Sequence, residues 1–264
     1  MRFLLVLAAL APLAAADLRL TLRSRVEAFK GSGVWEQVRV TRTLPTTRTG
    51  ILICDMWDNH WCTAAARRVD VLAQKMAPLV DQARDAGLQI IHAPSDTMAF
   101  YADTPHRKRI LSLPLIQPRL NLSLPDLPLP IDDAGGGCDT SADKSYKAWT
   151  RQHPAIRIAG NDVVSDKGLE VYSLLEEKGI RNLLVMGVHT NMCVLNRTFA
   201  IKQMTRWGVP TILVRDLTDS MYDPQDRPFV THDQGTELVI EHIEKHWAPT
   251  VLSEDLRRAL KEAK

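Results

Sequence analysis

Short apolar runs alternate along the chain with longer segments in which apolar residues recur every three or four positions. The runs ILIC at 51–54, LQIIHAP at 88–94 and RNLLVMG at 181–187 predict strands that are buried on both faces. The segment 63–86 between the first two has helical spacing. Strands that alternate with helices in this way predict a parallel sheet covered by helices on both sides.

Some segments interrupt this pattern. Pro78 lies inside the first predicted helix and should kink or split it. Five prolines and a triple glycine across 112–137 predict an irregular excursion over the surface or over the site. The run AIRIA at 155–159 predicts another strand, and 191–206 predicts one helix that ends before Gly208.

The N-terminal part of the chain has a different pattern. Apolar and polar residues alternate over 17–44 around a glycine-containing turn, which predicts a β-hairpin. We therefore divide the chain into a leader at 1–16, a hairpin extension at 17–47 and an α/β domain at 48–264.

The leader has the features of a secretory signal peptide. Arg2 is followed by an apolar run at 3–10 and by three alanines at 14–16, a typical cleavage site. The alternative is a membrane anchor, but the apolar run is shorter than the roughly 20 residues that span a bilayer. We expect the mature protein to be secreted or periplasmic, with no membrane association after cleavage.

Composition and charge exclude one class of partner. The 264 residues include 33 basic and 31 acidic side chains, for a formal net charge of +2. Charges of both signs are interspersed, so the chain has no basic stripe of the kind that binds nucleic acid. We expect the partner to be a small-molecule substrate and no nucleic acid to bind.

Four cysteines are present, at positions 54, 62, 138 and 193. In an oxidising compartment some of them can pair, and Cys62 with Cys138 is one possible disulfide. Connectivity does not follow from sequence, so free thiols at both positions remain the alternative.

The candidate chemistry lies where the predicted strands end. In a parallel sheet the carboxyl ends of the strands form the site, which brings together Asp55, 92–96, 187–193 and Asp216. Cys193 falls in the first turn of a predicted helix, where free N–H groups and the helix dipole favour a thiolate and can hold an oxyanion. Asp55 can take the thiol proton and return it to a leaving group. The two residues are therefore a candidate nucleophile and base.

Two segments around these residues carry a family resemblance. ILICDMWDNHW at 51–61 and LLVMGVHTNMCVLNRT at 183–198 resemble the signature segments of the isochorismatase-like cysteine hydrolases, which include the nicotinamidases. The second segment matches through its Gly-x-x-Thr-x-x-Cys-Val pattern, followed by a Thr: Gly187, Thr190, Cys193, Val194 and Thr198.

The resemblance implies a fold and a set of site residues. The fold is a three-layer α/β/α domain with a mostly parallel sheet of about six strands, here preceded by the hairpin. The catalytic groups are a cysteine nucleophile, Cys193, an aspartate base, Asp55, and a lysine near both. The resemblance also implies a cis peptide bond ahead of Thr190, between Val188 and His189.

The lysine is the point at which this chain departs from the family. The usual position, after the strand that precedes the segment GLEVYSLL, has none. Lys144, Lys147 and Lys167 are the nearby candidates, and Lys147 is the best of them because its segment could fold over the pocket. The alternative is that Lys147 is a solvated loop residue.

The first motif also departs from the family. Trp57 stands where relatives have Gln, and His60 stands where they have a pocket-lining Phe. We predict that Trp57, His60, Val188 and His189 contact the substrate. For His60 the alternative is a structural hydrogen bond to the backbone.

We expect no cofactor to be required and no metal to bind. The less favoured alternative is a divalent metal such as Zn, held by Asp58 and His60 together with His92. The resemblance further implies assembly into a homo-oligomer.

These features predict an exported cysteine hydrolase that cleaves the C–N bond of a small-molecule amide, with nicotinamidase-type chemistry and a covalent thioester. One alternative is a catalytically silent small-molecule-binding protein on the same scaffold. Another is a non-covalent isochorismatase-type vinyl-ether hydrolase, but that branch typically lacks the cysteine, so Cys193 argues against it.

Overall fold

The computed structural model describes residues 16–140 and 145–263. Residues 1–15 of the predicted signal peptide and Lys144 therefore lie outside the described residues. Eight strands are present: β1 (Asp17–Glu27), β2 (Trp35–Pro45), β3 (Thr49–Cys54), β4 (Gln89–Ala93), β5 (Val163–Val164), β6 (Asn182–Val188), β7 (Thr211–Asp219) and β8 (Thr250–Val251). The helices are α1 (Thr63–Asp85), α2 (Met98–Tyr101), α3 (Pro105–Leu111), α4 (Gly168–Glu177), α5 (Cys193–Asn196), α6 (Ile201–Arg206), α7 (His232–His246) and α8 (Ser253–Glu262).

All eight strands form one sheet, in the order β2-β1-β8-β7-β6-β3-β4-β5. The neighbours from β8 to β5 are parallel, whereas β1 is antiparallel to both β2 and β8. The predicted three-layer, mostly parallel fold is thus confirmed. The strand count exceeds six because the N-terminal hairpin continues the central sheet.

Side chains alternate between the two faces of the sheet, as the buried strand β3 illustrates. Ile51 and Ile53 pack into a core that α1 and α8 cover. Leu52 and Cys54 face the opposite core, which is covered by α4, α6 and α7. Burial on both faces explains why the predicted strands are continuous apolar runs.

The structure corrects three details of the sequence-based prediction. Helix α1 runs without a break through Pro78. The predicted strand at 155–159 is a turn followed by irregular backbone, because backbone groups there bond to the side chains of Arg84 and Asp162. The strand in this part of the chain is β5 instead. The predicted helix at 191–206 is two short helices, α5 and α6, separated by extended backbone at Arg197.

The proline-rich excursion is irregular, as predicted: no helix or strand lies between α3 and Thr140. In the described parts of the chain, no helix is both long enough and apolar enough to cross a membrane.

Candidate active site

Asp55 follows β3 directly and is fully buried. Its φ of 45° lies in the left-handed region, a strained conformation for a non-glycine residue that is typical of functional sites. The Oδ1 atom accepts a hydrogen bond from the backbone N–H of Ser95 at 2.7 Å. The Oδ2 atom accepts from Nε of Arg197 at 3.1 Å. Both carboxylate oxygens are therefore held in place from two sides.

Cys193 follows the neighbouring strand β6 and begins the one-turn helix α5. Its thiol lies next to the Asp55 carboxylate, close enough for each group to shift the pKa of the other. The peptide bond between Val188 and His189 is cis, as the family resemblance implied. The structure therefore brings together the two residues that the sequence paired as nucleophile and base.

Gly187 makes this approach possible. Its φ is 123°, and a Cβ atom there would lie 2.0 Å from the carbonyl oxygen of Cys54. Only glycine lets β6 pass this close to the end of β3 without displacing backbone. The glycine of the second motif thus has a packing role beside the site.

Arg197 is the site residue that the sequence analysis missed. Besides its bond to Asp55, its Nη2 atom lies 3.5 Å from the carboxylate of Asp96. The side chain is 34% exposed, so the guanidinium is also accessible from the surrounding cavity. The available signal was only its closeness in sequence to Cys193, because its backbone is extended and helical spacing does not apply to it.

The structure does not bring a lysine to this carboxylate. Lys147 is exposed, and its Nζ atom donates to the carbonyl oxygen of Asp96 at 2.5 Å. Lys167 is also exposed and pairs with Asp166. Within residues 16–140 and 145–263, the cation that pairs with Asp55 is Arg197.

Burial raises the pKa of Asp55, and the charge of Arg197 opposes that shift only partly. Burial also raises the pKa of Cys193, and the adjacent Asp55 charge raises it further. This corrects the expectation that the helix end would favour a thiolate. Helix α5 has a single turn, so its dipole is weak compared with the desolvation of a buried thiolate. The resting Cys193 therefore keeps its proton as a neutral thiol.

A cavity of about 420 Å³ opens onto Cys193 and Arg197. Five of its lining residues carry rings: Trp57, His60, Trp61, Trp149 and His189. Trp57 and Trp149 stack with their centroids 4.1 Å apart and their planes at 14°. His60 lies nearly parallel to both. We call Trp57, His60 and Trp149 the aromatic wall.

Three of the four predicted substrate contacts line this cavity. Trp57, His60 and His189 do so, whereas the side chain of Val188 packs in the core next to the sheet. Burial lowers the pKa of His60 to about 4 and that of His189 to about 3, so both rings are neutral at physiological pH. His60 Nδ1 accepts a hydrogen bond from the backbone N–H of Cys62 at 3.1 Å, which gives it a structural role as well.

The carboxylate of Asp58 fixes the backbone on one side of the cavity. It accepts hydrogen bonds from the backbone N–H of Thr150 at 2.9 Å and from the Thr150 hydroxyl at 2.6 Å. These bonds fix the segment that carries Trp149. His92 contacts Gln152 at 2.9 Å and Asp162 at 3.0 Å. The alternative zinc ligands Asp58, His60 and His92 therefore have separate partners and do not form one cluster among the described residues.

Asp216 does not belong to the site either. Its carboxylate accepts hydrogen bonds from the backbone N–H and the hydroxyl of Ser253, at the start of α8. The carboxylate at the end of β7 near the site is Asp219, which pairs with Arg68 and His232.

A second cavity, of about 510 Å³, reaches Cys193 and Arg197 from the side of Leu129, Asp133 and Asn196. Cys193 therefore lies between two cavities, one aromatic and one more polar.

A disulfide joins Cys62 and Cys138, whose Cα atoms are 5.7 Å apart, and confirms the pairing considered from sequence. It ties the beginning of α1 to the segment that contains Gly135 and Gly136, which line the aromatic cavity. Cys54 and Cys193 are free thiols.

Comparison with known proteins agrees with this geometry. The sequence profile of the Isochorismatase domain matches residues 49–255, and the chain therefore belongs to the isochorismatase family. Family membership supports hydrolase function. A comparison with curated protein sequences gives no significant match.

Solved structures share the fold at low sequence identity. One is a cysteine hydrolase from Pseudomonas syringae pv. phaseolicola 1448A, with a TM-score of 0.53 and 15% identity over 84% of this chain and 96% of that chain. Another is an isochorismatase from Pseudomonas putida KT2440, with a TM-score of 0.49 and 13% identity over 79% of this chain and 90% of that chain.

Proposed function

We propose that the protein is a cysteine hydrolase that cleaves the C–N bond of a small-molecule amide through a thioester. One observation carries the proposal: the Cys193 thiol and the Asp55 carboxylate lie next to each other beside a cavity, with Arg197 bonded to the same carboxylate. A thiol, a base that can accept its proton and a cation that orients the base are the groups that nucleophilic acyl transfer requires.

In the first step Asp55 takes the proton of the Cys193 thiol while the sulfur attacks the amide carbon. The C–S bond forms, and the carbonyl electrons move to oxygen. The backbone N–H of Cys193 has no acceptor within the described residues, so it is available to the oxyanion. As the C–N bond breaks, Asp55 gives its proton to the departing nitrogen, which leaves as the neutral amine.

Water releases the acid in the second step. Asp55, again ionised, takes a proton from the water that attacks the thioester. The C–S bond breaks, the acid leaves, and the proton returns to the sulfur of Cys193. Burial raises the pKa of both groups, so the thiol keeps its proton until the sulfur attacks the substrate.

Arg197 takes the place at Asp55 that the family resemblance assigns to a lysine. A guanidinium stays protonated at all physiological pH values, so it acts as a fixed charge and not as a proton donor. Its bonds to Asp55 and Asp96 hold the base in one orientation. Its exposed face can also attract the developing oxyanion.

The aromatic wall favours a flat, uncharged substrate. Its parallel rings offer a face for stacking, and His60 and His189 are neutral. Nε1 of Trp149 and Nε2 of His189 are buried and have no hydrogen-bond partner within the described residues. A ring carboxamide of the nicotinamide type has both a flat face and polar atoms for such contacts.

We also propose that the protein works outside the cytoplasm. The Cys62–Cys138 disulfide supports this, because such bonds persist in oxidising compartments. The signal-like leader at 1–16 supports the same location.

The test is ammonia release from a panel of nicotinamide, benzamide and acetamide, combined with intact-mass detection of the acyl-enzyme after acid quench. We expect turnover of a ring carboxamide, an adduct of the acyl mass on Cys193, and loss of both in Cys193→Ala. Asp55→Asn should abolish turnover while leaving ligand binding intact. Full turnover by Cys193→Ala would show that the covalent mechanism is wrong.

The alternative of a silent binding protein has one observation in its favour, the absence of a lysine amine at Asp55 among the described residues. It predicts that nicotinamide or benzamide quenches tryptophan fluorescence on binding, with no ammonia released and no adduct formed. It also predicts equal affinity for wild type and Cys193→Ala.

A further inference from the structure

Strand β2 leaves a long edge of the sheet open. It pairs with β1 over its whole length, from Trp35 to Pro45, and no other strand of the described chain lies on its far side. Most of its side chains are exposed on both faces. An edge of this length has a full row of unpaired backbone groups and is a template for another strand unless something covers it.

The charged residues of β2 lack partners on its own sheet. Glu36 stands opposite Val26 on β1, and Arg42 stands opposite Leu20. Neither forms an ion pair in the part of the chain that the structure describes. Val40, on the same face, is 51% exposed, and Val34 just ahead of the strand is 56% exposed. This face therefore presents two unpaired charges of opposite sign and exposed apolar groups.

We propose that this edge is covered by a second copy of the same chain, with the two β2 strands antiparallel about a twofold axis at Arg39. Such an isologous contact would join two eight-stranded sheets into one continuous sheet. It requires no change in the fold, because β2 is already extended and its outer edge is free.

The sequence of β2 is complementary to itself in this register. On one face, Glu36 lies opposite the second copy's Arg42, which makes two ion pairs by symmetry. On that face Val38 also lies opposite the second copy's Val40, and Val34 lies opposite its Leu44. Opposite charges and β-branched pairs directly across a strand pair each stabilise it.

Neighbouring registers lose this match. A shift of one residue between the strands would put the two sets of side chains on opposite faces. A twofold axis at Val38 would place Glu36 opposite Val40, and an axis at Val40 would place Glu36 opposite Leu44. Both registers bury a charge against an apolar side chain. On this face, only the axis at Arg39 places charged residues opposite residues of the opposite charge and apolar residues opposite apolar residues.

One contact opposes the pairing. On the other face Arg39 meets its own copy at the axis, and two like charges directly opposite each other are destabilising. Gln37 lies opposite Thr41 of the second copy there, and Trp35 opposite Thr43, so the remaining neighbours are uncharged. The Arg39 pair makes the register directly testable.

The first experiment is analytical ultracentrifugation of the whole chain with charge swaps. We expect a dimer at a protein concentration of about 10 μM. Glu36→Arg and Arg42→Glu should each raise the dissociation constant of the dimer at least about tenfold. The double swap should return that constant to within a few-fold of the wild-type value. Arg39→Thr should lower it. Circular dichroism and Tm check that each variant is folded. A monomeric wild type, or single swaps without effect, would overturn the proposal.

The second experiment is oxidative cross-linking. Residues that face each other across the axis have Cα atoms about 5 Å apart, within the range of a disulfide. Arg39→Cys should therefore give a covalent dimer on mild oxidation, whereas the matched control Gln37→Cys, which faces a threonine, should not. Equal cross-linking of both variants, or of neither, would contradict the register.

Discussion

Nε of Arg197 donates to Oδ2 of Asp55 at 3.1 Å, so the cation that orients the candidate base comes from just after the helix that carries the candidate nucleophile. One short segment, from Cys193 to Arg197, thus provides both the thiol and the cation, and Asp55 lies between them. In the proposed mechanism, Arg197 takes the role that the family resemblance gives to a lysine on another segment.

The first prediction concerns Arg197. Its charge lowers the pKa of Asp55, which burial raises, so Arg197→Met should raise that pKa further. The acid limb of the pH profile of kcat/KM should move to higher pH, because Asp55 must be ionised to accept the thiol proton. The rate at neutral pH should fall by roughly 10²–10³, the usual effect of removing one electrostatic contact in an active site. Turnover of the best ring carboxamide from pH 4 to 9 measures both effects.

Arg197→Lys is the matched control. It keeps the charge but loses the fork geometry, so we expect an acid limb close to that of wild type with a smaller loss of rate. An unchanged acid limb in Arg197→Met would show that Arg197 does not act through Asp55.

Topology explains why the sequence could predict the central pair but not the cation. Asp55 and Cys193 each follow an apolar run, and parallel strands end at the same edge, so two short patterns suffice to place them together. The position of the Arg197 side chain depends on a break between α5 and α6, in a segment that the sequence pattern predicts as one continuous helix. Thr198 accepts a hydrogen bond from the N–H of Gly168, and Arg197 reaches Asp55; both are tertiary contacts that periodicity does not contain.

The positions of Trp149 and Lys147 could not be predicted from the sequence either. Both lie in a segment without regular structure, whose path is set by hydrogen bonds to Asp58 and by a short bridge between Trp57 and Gln152. Sequence could suggest that this segment covers the pocket. It could not show that the tryptophan enters the cavity while the lysine stays exposed.

A second prediction concerns the reactivity of Cys193. Burial and the charge of Asp55 both raise its pKa, so wild type should alkylate with iodoacetamide at pH 7 more slowly than an ordinary thiol, whose pKa is about 8.5. Asp55→Asn removes the negative charge, so the pKa of Cys193 should fall and alkylation at a given pH should become faster, even though turnover is lost. Peptide mass spectrometry over a pH series measures this.

Cys54 is the internal control for that series, because it is free and fully buried and should react slowly in both proteins. If Asp55→Asn slowed the alkylation of Cys193, the carboxylate would be activating the resting thiol, contrary to the direction inferred here.

A third prediction separates substrate binding from chemistry. Asp58→Ala removes the acceptor for the backbone N–H and hydroxyl of Thr150, so the segment with Trp149 should lose its fixed position in the aromatic wall. Loss of hydrogen bonds to a charged group costs about 1.5–3 kcal/mol, so KM should rise roughly tenfold or more. The change in kcat should stay small, because Asp58 does not contact the Asp55–Cys193 pair. Steady-state kinetics with the best ring carboxamide measures both parameters.

Thr150→Val, which removes only the hydroxyl bond, should give a smaller rise in KM in the same assay. A fall in kcat with an unchanged KM in Asp58→Ala would place Asp58 in the chemistry and not in substrate binding.

The last prediction concerns the Cys62–Cys138 disulfide. It closes a loop with a sequence separation of 76, and the chain-entropy estimate for a loop of this size is on the order of 4 kcal/mol in the free energy of unfolding. Cys62→Ser/Cys138→Ser should therefore unfold at clearly lower urea concentration than wild type. KM should rise as well, because Trp61 lies directly before the bond and Gly135 and Gly136 lie shortly before its other end, all lining the aromatic cavity. Dithiothreitol should destabilise wild type to a similar degree and leave the double variant unchanged. If the double variant were as stable as wild type and bound substrate equally well, the bond would have no part in shaping the cavity.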